Sequence, residues 1–302
     1  MGYFTMLLSE FFSSVYRPLR LRGKSAASTR LYGCLLRSFD RFLLRRGEVS
    51  DLDDLTIAAY LERRADAGRS PYTIERERCG LLALARLARE RGLLAVMPSC
   101  PQGALPERVP QAWTVEQLRT LIAAAEAQPG MVGAVPAGLW WSTLLLVLYQ
   151  TGERITAIVD TPAANYRRPH LLVTAECRKG KKRDRVYELS ADVCDLIERM
   201  ALDTTGQGKL FPWPLCRTYL WGRMKKMVRA AGLGEGRSFR FHGVRRAALS
   251  HYAAAGGDAA AMADHASPRT TARWYLDPRI TNTGPRPCDV LPRIDARIMP
   301  RQ

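Results

Sequence analysis

The chain has 302 residues, long enough for two domains that each bury a core. Hydrophobic residues make up 47% of it and charged residues 25%, ordinary for a globular protein, so disorder is not the default expectation. Forty-six Lys plus Arg against 29 Asp plus Glu leave a net charge of +17. An excess of that size fits a polyanionic partner, nucleic acid ahead of a membrane surface or a ribosomal role, because each neutralised phosphate releases counterions.

Residues 1–25 are expected to form an arm with a basic finish at Arg17, Arg20, Arg22 and Lys24. Leu31, Leu35, Phe39, Phe42 and Leu43 then recur at helical spacing, with Ser28 or Thr29 as the N-cap. A second helix is expected from Asp51 to Arg64, with Leu55, Ile57, Tyr60 and Leu61 on its apolar face. After Gly68, the segment Arg69-Ser70-Pro71-Tyr72-Thr73 turns into a long helix that runs through Leu81, Leu84 and Leu87 to Gly92. Nothing here argues for strands, so residues 1–96 are assigned to the arm and a small helical domain rich in surface Arg. Residues 97–110 hold Pro98, Pro101, Pro106 and Pro110 and have the composition of a linker.

Thr114 opens the second domain by capping a helix that carries Leu118, Leu121 and Ile122, with Glu116 and Gln117 in its first turn. The most apolar stretch, Ala134 to Tyr149, is short for a bilayer span and contains Pro136. It is expected to be a buried helix ending near Gly152. Two short strands, His170 to Ala175 and Arg185 to Leu189, flank the basic turn Arg178-Lys179-Gly180-Lys181-Lys182-Arg183. Helices follow around 191–202, 215–231 and 243–255, the last stopped by Gly256-Gly257. The fold class is therefore mainly α with a small β-sheet. The second domain covers 111–280, and a tail at 281–302 is rich in Pro and Arg.

Seven cysteines at 34, 79, 100, 177, 194, 216 and 288 show neither CxxC spacing nor an even count. They read as reduced thiols of a cytoplasmic protein rather than a disulfide framework or a zinc site. The opening MGYFTMLLSEFF lacks a positive n-region, so no signal peptide is expected. Gly2 is not followed by Ser or Thr at position 6, so no myristoylation is expected either.

Four features of the second domain carry chemistry. Thr151-Gly152-Glu153-Arg154-Ile155 sets Arg154 where the buried helix breaks, and Lys179 stands on the basic turn. Phe241-His242-Gly243-Val244-Arg245-Arg246 puts His242 and Arg245 three apart on one helical face. Asp264-His265-Ala266-Ser267 precedes Thr270-Thr271-Ala272-Arg273-Trp274-Tyr275. Each is weak alone: such arginines are ordinarily solvated, such turns wet, and a Tyr beside a Trp half-buried packing. Together they make one inventory for phosphoryl transfer. Two guanidiniums give bidentate donors for phosphate oxygens. A lysine can protonate a leaving oxygen, histidines can donate or shuttle a proton, and a tyrosine can attack. His170 and His251 match no motif and are read as structural.

The order Arg, Lys on a hairpin, His-x-x-Arg, His, Tyr resembles the phage integrase family of tyrosine recombinases. TGERI is similar to that family's TG-x-RI segment, FHGVRR to its H-x-L-R segment and DHASPRTTARWY to its GH-S-x-x-TT-x-x-Y segment. SAAST and GRSPYTIER resemble parts of its SAM-like helical core-binding domain, so the likeness spans roughly residues 8–280.

The resemblance implies a site-specific DNA recombinase that works through a 3′-phosphotyrosine. Arg154 and Arg245 would clamp the scissile phosphate. His242 would contact it or handle a proton, and His265 would hydrogen-bond it. Lys179 would be the general acid, with Lys181 and Lys182 as alternatives, and Tyr275 would attack. Such chemistry implies no cofactor and no metal. It implies double-stranded DNA as partner, a homo-tetramer on two DNA sites, no membrane, and a cytoplasmic, nucleoid-associated location. The tail is either an exchange arm between protomers or loose. The alternatives are a catalytically inactive DNA-binding protein on the same scaffold and a basic RNA-binding protein.

Three departures stand out. Glu153 replaces an apolar residue, Asp264 replaces a glycine, and Tyr275 follows His265 by ten positions (275 − 265), one more than the resemblance implies. Trp274 occupies the expected place of the nucleophile. One extra residue turns a helical side chain by about 100°, so an irregularity near Pro268 is expected to absorb it.

Overall fold

The structure is a computed structural model and describes residues 6–180, 183–200, 208–234, 240–282, 284 and 290. By its internal contacts the chain divides into two compact units, Met1–Arg108 and Val109–Gln302.

The first unit is helical. It runs through α1 (Leu8–Phe11), a π-helical stretch (Phe12–Tyr16), α2 (Arg17–Arg20), α3 (Ala26–Leu43), α4 (Asp54–Asp66) and α5 (Pro71–Glu90). The segment expected to be an arm is thus helical from Leu8 to Arg20. Leu8, Phe11, Phe12 and Tyr16 are buried in the core with Phe39, Ile57, Leu81 and Leu84. Those four positions fall on one helical face, a pattern that the basic residues after them obscure.

Ser25, not Ser28 or Thr29, is the N-cap of α3, whereas Asp53 and Ser70 accept backbone N–H bonds as the caps of α4 and α5. Leu55 is 82% exposed, because a step of 100° per residue sets it opposite Ile57, Tyr60 and Leu61. Leu31 is 49% exposed and lines an open cleft where Gly80 of α5 supplies no side chain. A buried carboxylate, Glu77, is satisfied by both nitrogens of the Arg64 fork at 2.8 Å and by the Tyr60 hydroxyl at 3.0 Å.

In the second unit Thr114 and Gln117 form a reciprocal capping box at the start of α6 (Val115–Glu126). A two-residue hairpin, β1 (Met131–Val132) and β2 (Val135–Pro136), precedes α7 (Ala137–Thr151). Strands this short leave no alternation to find in a sequence. Trp140, Trp141, Leu144, Leu145, Val147 and Leu148 of α7 are all buried, each contributing about 1.5–3 kcal/mol. The chain continues through α8 (Ile155–Asp160), β3 (Tyr166–Arg167), β4 (His170–Val173) and β5 (Arg185–Glu188). These strands form one antiparallel sheet in the order β3-β4-β5, with Leu171 opposite Tyr187. It has three strands where two were expected.

Next come α9 (Ala191–Arg199), α10 (Arg217–Ala230), α11 (Phe241–Ala254), α12 (Ala259–Ala263), α13 (Pro268–Tyr275) and α14 (Pro278–Thr281). Gly256, at φ +85°, ends α11, and Gly257 N–H donates back to the Tyr252 carbonyl at 2.8 Å. No helix among the described residues is long and apolar enough to cross a membrane.

Candidate active site

The buried helix α7 stops because Gly152 takes the left-handed conformation, φ +61°. That backbone conformation favours glycine, and a Cβ there would also meet the flexible end of the Met262 side chain at 2.9 Å. Two residues later Arg154 occupies the N-cap position of α8 in extended backbone. It lines a cavity of about 540 Å³ with Glu153, Trp221, Arg240, His242, Arg245 and Arg246 among others. Four arginines face one carboxylate there, so the cavity is strongly cationic. Among the described residues the Arg154 guanidinium has no hydrogen-bond or ion-pair partner.

Helix α11 brings His242 and Arg245 to this cavity from its first two turns. Arg245 is 1% exposed. One arm of its fork donates to the Gly152 carbonyl and the other to the Ala263 carbonyl at 2.8 Å, joining the ends of α7 and α12. Burial, and then the charge of Arg154, push its pKa down, opposed by Glu153. Its guanidinium lies over the Tyr275 ring at 5.4 Å. The imidazoles of His242 and His265 flank that ring, centroid to centroid 5.1 Å and 4.7 Å away.

His265 and Thr271 share a 2.9 Å hydrogen bond through Nδ1, which leaves Nε2 for a ligand. Both histidines are pushed down to about 4. Burial is the first cause. It is joined by Arg246, Arg245 and Arg154 for His242, and by Arg245 and Arg154 for His265. His242 is nonetheless exposed where it lines the open cavity. Both rings are neutral at pH 7.

Tyr275 is 9% exposed, whereas Trp274 beside it is 37% exposed and carries Arg273 over its own ring at 5.2 Å. The extra residue before Tyr275 does not turn it away from the cluster, because helical phase does not run back to His265. Asp264 sits at φ +55°, Ser267 is extended, and α13 starts only at Pro268.

Two carboxylates that depart from the expected pattern meet at one cation. Arg178 donates through Nε to Glu153 at 2.6 Å and pairs through Nη1 with Asp264 at 3.0 Å. Glu153 also accepts from the Tyr187 hydroxyl at 2.8 Å and the Arg154 N–H at 3.0 Å. Burial pushes Glu153 up, but these bonds and the Arg178 charge outweigh it and hold the carboxyl below its ordinary range. Asp264 tolerates a left-handed backbone better than most residues do, which suits it to a glycine position.

Sequence reasoning missed Arg178 as part of this cluster by counting it with a wet turn. The available signal was that two carboxylates beside a phosphate-type site require a cation between them. Lys179 itself is exposed and has no hydrogen-bond or ion-pair partner among the described residues. Lys181 and Lys182 lie outside the described residues. His170 is exposed on β4, and His251 pairs with the Tyr149 hydroxyl at 2.7 Å away from the cluster. No group of three or more His, Cys, Asp or Glu side chains suited to a metal ion is present among the described residues.

Comparison with known proteins gives a family match: residues 111–281 fit the model of the phage integrase family. The chain is 28% identical over 254 residues to the tyrosine recombinase XerD of Xanthomonas axonopodis pv. citri (strain 306), covering 76% of this chain and 80% of that one. Among solved structures, a lambda integrase dimer bound to a COC′ core site superposes with a TM-score of 0.70 at 16% identity, over 90% of this chain and 78% of the other. A lambda integrase tetramer bound to a Holliday junction gives 0.68 at 18% identity, over 87% and 78%. These two likenesses concern the fold.

Proposed function

The chain belongs to the phage integrase family, and from that premise we propose that it is a site-specific recombinase that cuts and rejoins duplex DNA through a phosphotyrosine at Tyr275. One observation carries the reading. Arg245, His242 and His265 surround the Tyr275 ring beside a cationic cavity in which Arg154 has no partner among the described residues.

The scissile phosphate enters that cavity, and Arg154 and Arg245 offset the charge that builds on its non-bridging oxygens. The Tyr275 oxygen forms a bond to phosphorus while the bond from phosphorus to the 5′ oxygen breaks. Lys179 supplies the proton to the departing oxygen. His242, neutral at pH 7, takes the phenolic proton, and His265 donates to the phosphate through Nε2. The 3′-phosphotyrosine keeps the ester energy until the 5′-hydroxyl of a partner strand reverses the step. In this reading the protein works in the cytoplasm, on the nucleoid, as a homo-tetramer joining two DNA sites.

A nicked suicide substrate carrying the protein's own site tests the proposal. We expect an SDS-resistant protein–DNA adduct, absent in Tyr275→Phe although that variant still binds. An adduct that persists in Tyr275→Phe would overturn the assignment. Binding without any adduct would favour the inactive scaffold.

A further inference from the structure

Three residues assigned to the chemistry each directly follow one member of a single ion-pair cluster: Arg154 follows Glu153, Lys179 follows Arg178, and His265 follows Asp264. We infer that the Glu153–Arg178–Asp264 triad is a positioning frame that holds the general-acid turn in register with the phosphate-binding arginines, and that Arg178 sets the reach of Lys179.

The geometry supports this at each joint. Arg178 has a side chain only 5% exposed although it sits in a run of basic residues on a surface turn, and Glu153 is 2% exposed. Its guanidinium reaches the break after α7 through Glu153 and the loop before α13 through Asp264, at 2.6 and 3.0 Å. It also donates to the Arg183 carbonyl at 3.1 Å, closing the turn on which Lys179 stands. Arg183 pairs with Asp264 as well, and Arg185 of β5 donates to the Met262 carbonyl at 3.1 Å.

The hairpin is therefore tied to the rest of the site by fixed forks, while Lys179 stays exposed on a flexible stem. A planar fork can bridge two carboxylates in a way that an ammonium cannot. Displacing a reacting group by about 1 Å can cost about 10²-fold in rate, so a frame that fixes the backbone one residue away acts directly on the proton donor.

The inference rests on the recombinase reading above, and the leaving group separates the two. A 5′-bridging phosphorothiolate departs as a thiolate and needs no proton, whereas the ordinary 5′ oxygen does. Arg178→Met should lose about 10²-fold in adduct formation on the ordinary suicide substrate and recover to within a few-fold of wild type on the phosphorothiolate. DNA binding should be unchanged. Glu153→Gln keeps the shape of the site and should show the same pattern if Arg178→Met folds poorly. Lys179→Ala should show it too.

Equal loss on both substrates, or no loss on either, in the Arg178 and Glu153 variants would overturn the positioning role. Equal loss on both in Lys179→Ala would remove Lys179 as the acid, and the frame's purpose with it. No adduct from the wild-type protein would instead defeat the recombinase reading itself.

Discussion

The guanidinium of Arg245 lies 5.4 Å over the ring of Tyr275, and the same guanidinium is bonded to the carbonyls of Gly152 and Ala263. One buried cation thus touches the end of α7, the end of α12 and the Tyr275 ring carried by α13. The fold thus brings a buried cation and the proposed nucleophile together, the preorganisation that phosphoryl transfer requires.

In the proposed mechanism the place of Tyr275 on α13 specifies the nucleophile. Trp274→Phe should keep cleavage within a few-fold of wild type, because Trp274 faces outward under Arg273. The double change Trp274→Tyr with Tyr275→Phe should form no adduct, since a step of one residue turns the hydroxyl by about 100°. Adduct formation by the double variant, read on denaturing gels, would contradict the assignment.

Protons follow the phosphate. His242 and His265 sit near 4, below the ordinary histidine range, so between pH 6.5 and about 4 the unfolded chain holds more protons than the folded one. Stability from these groups is present above pH 6.5 and is lost as pH falls toward 4. Urea melts at pH 7, 5.5 and 4.5 should show that decline, and His242→Gln with His265→Gln should flatten it. A bound phosphate reverses the cationic field and raises both values, so DNA binding should take up protons near pH 5.5. Calorimetry in buffers of different ionisation enthalpy measures that uptake, and proton release would refute the sign.

Asp277 anchors the chain just beyond Tyr275. It is 0% exposed and accepts from the Ala112 N–H at 2.8 Å and from the Arg279 fork at 3.0 and 2.6 Å. Burial raises its pKa, but the Arg279 and Ala112 bonds prevail and hold it low. Asp277→Asn should cost about 1.5–3 kcal/mol at pH 7, the range for a hydrogen bond to a charged group. Because the folded pKa is depressed, the penalty should shrink as pH falls below about 3.9. A loss that stays constant down to pH 2.5 would point to packing instead.

A net charge of +17 implies a steep salt response. DNA affinity should fall by about 10³-fold or more between 50 and 200 mM salt if six or more phosphates are contacted. Arg154→Gln should lower the slope of log affinity against log salt by about one. A salt-independent affinity would remove the role given to the cationic surface.

Much of the fold was legible in the sequence. The cap at Thr114, the apolar α7, the stops at Gly152 and Gly256 and the strands around residues 170 and 187 depend on local rules of period and backbone freedom, which a sequence records directly. The helical face of Leu8, Phe11, Phe12 and Tyr16 was equally local but was masked by the basic residues that follow. Leu55 broke its expected face for a reason of phase, and β1, β2 and β3 were too short to leave a pattern.

The set Arg154, Lys179, His242, Arg245, His265 and Tyr275 was legible in the sequence, because the chemistry constrains residue type and the chain order resembles that of the phage integrase family. What only the tertiary structure decided was which side chains meet. Glu153 and Asp264 depart from the expected pattern, and only the fold sets Arg178, distant from both in sequence, between them. Tyr275 rather than Trp274 faces the histidines because the chain between His265 and Pro268 is not helical, so a count of residues carries no angle across it. A sequence fixes the periodicity within an element, but the direction a loop takes is set by the packing and ion pairs at its two ends, and those are made by residues far away along the chain.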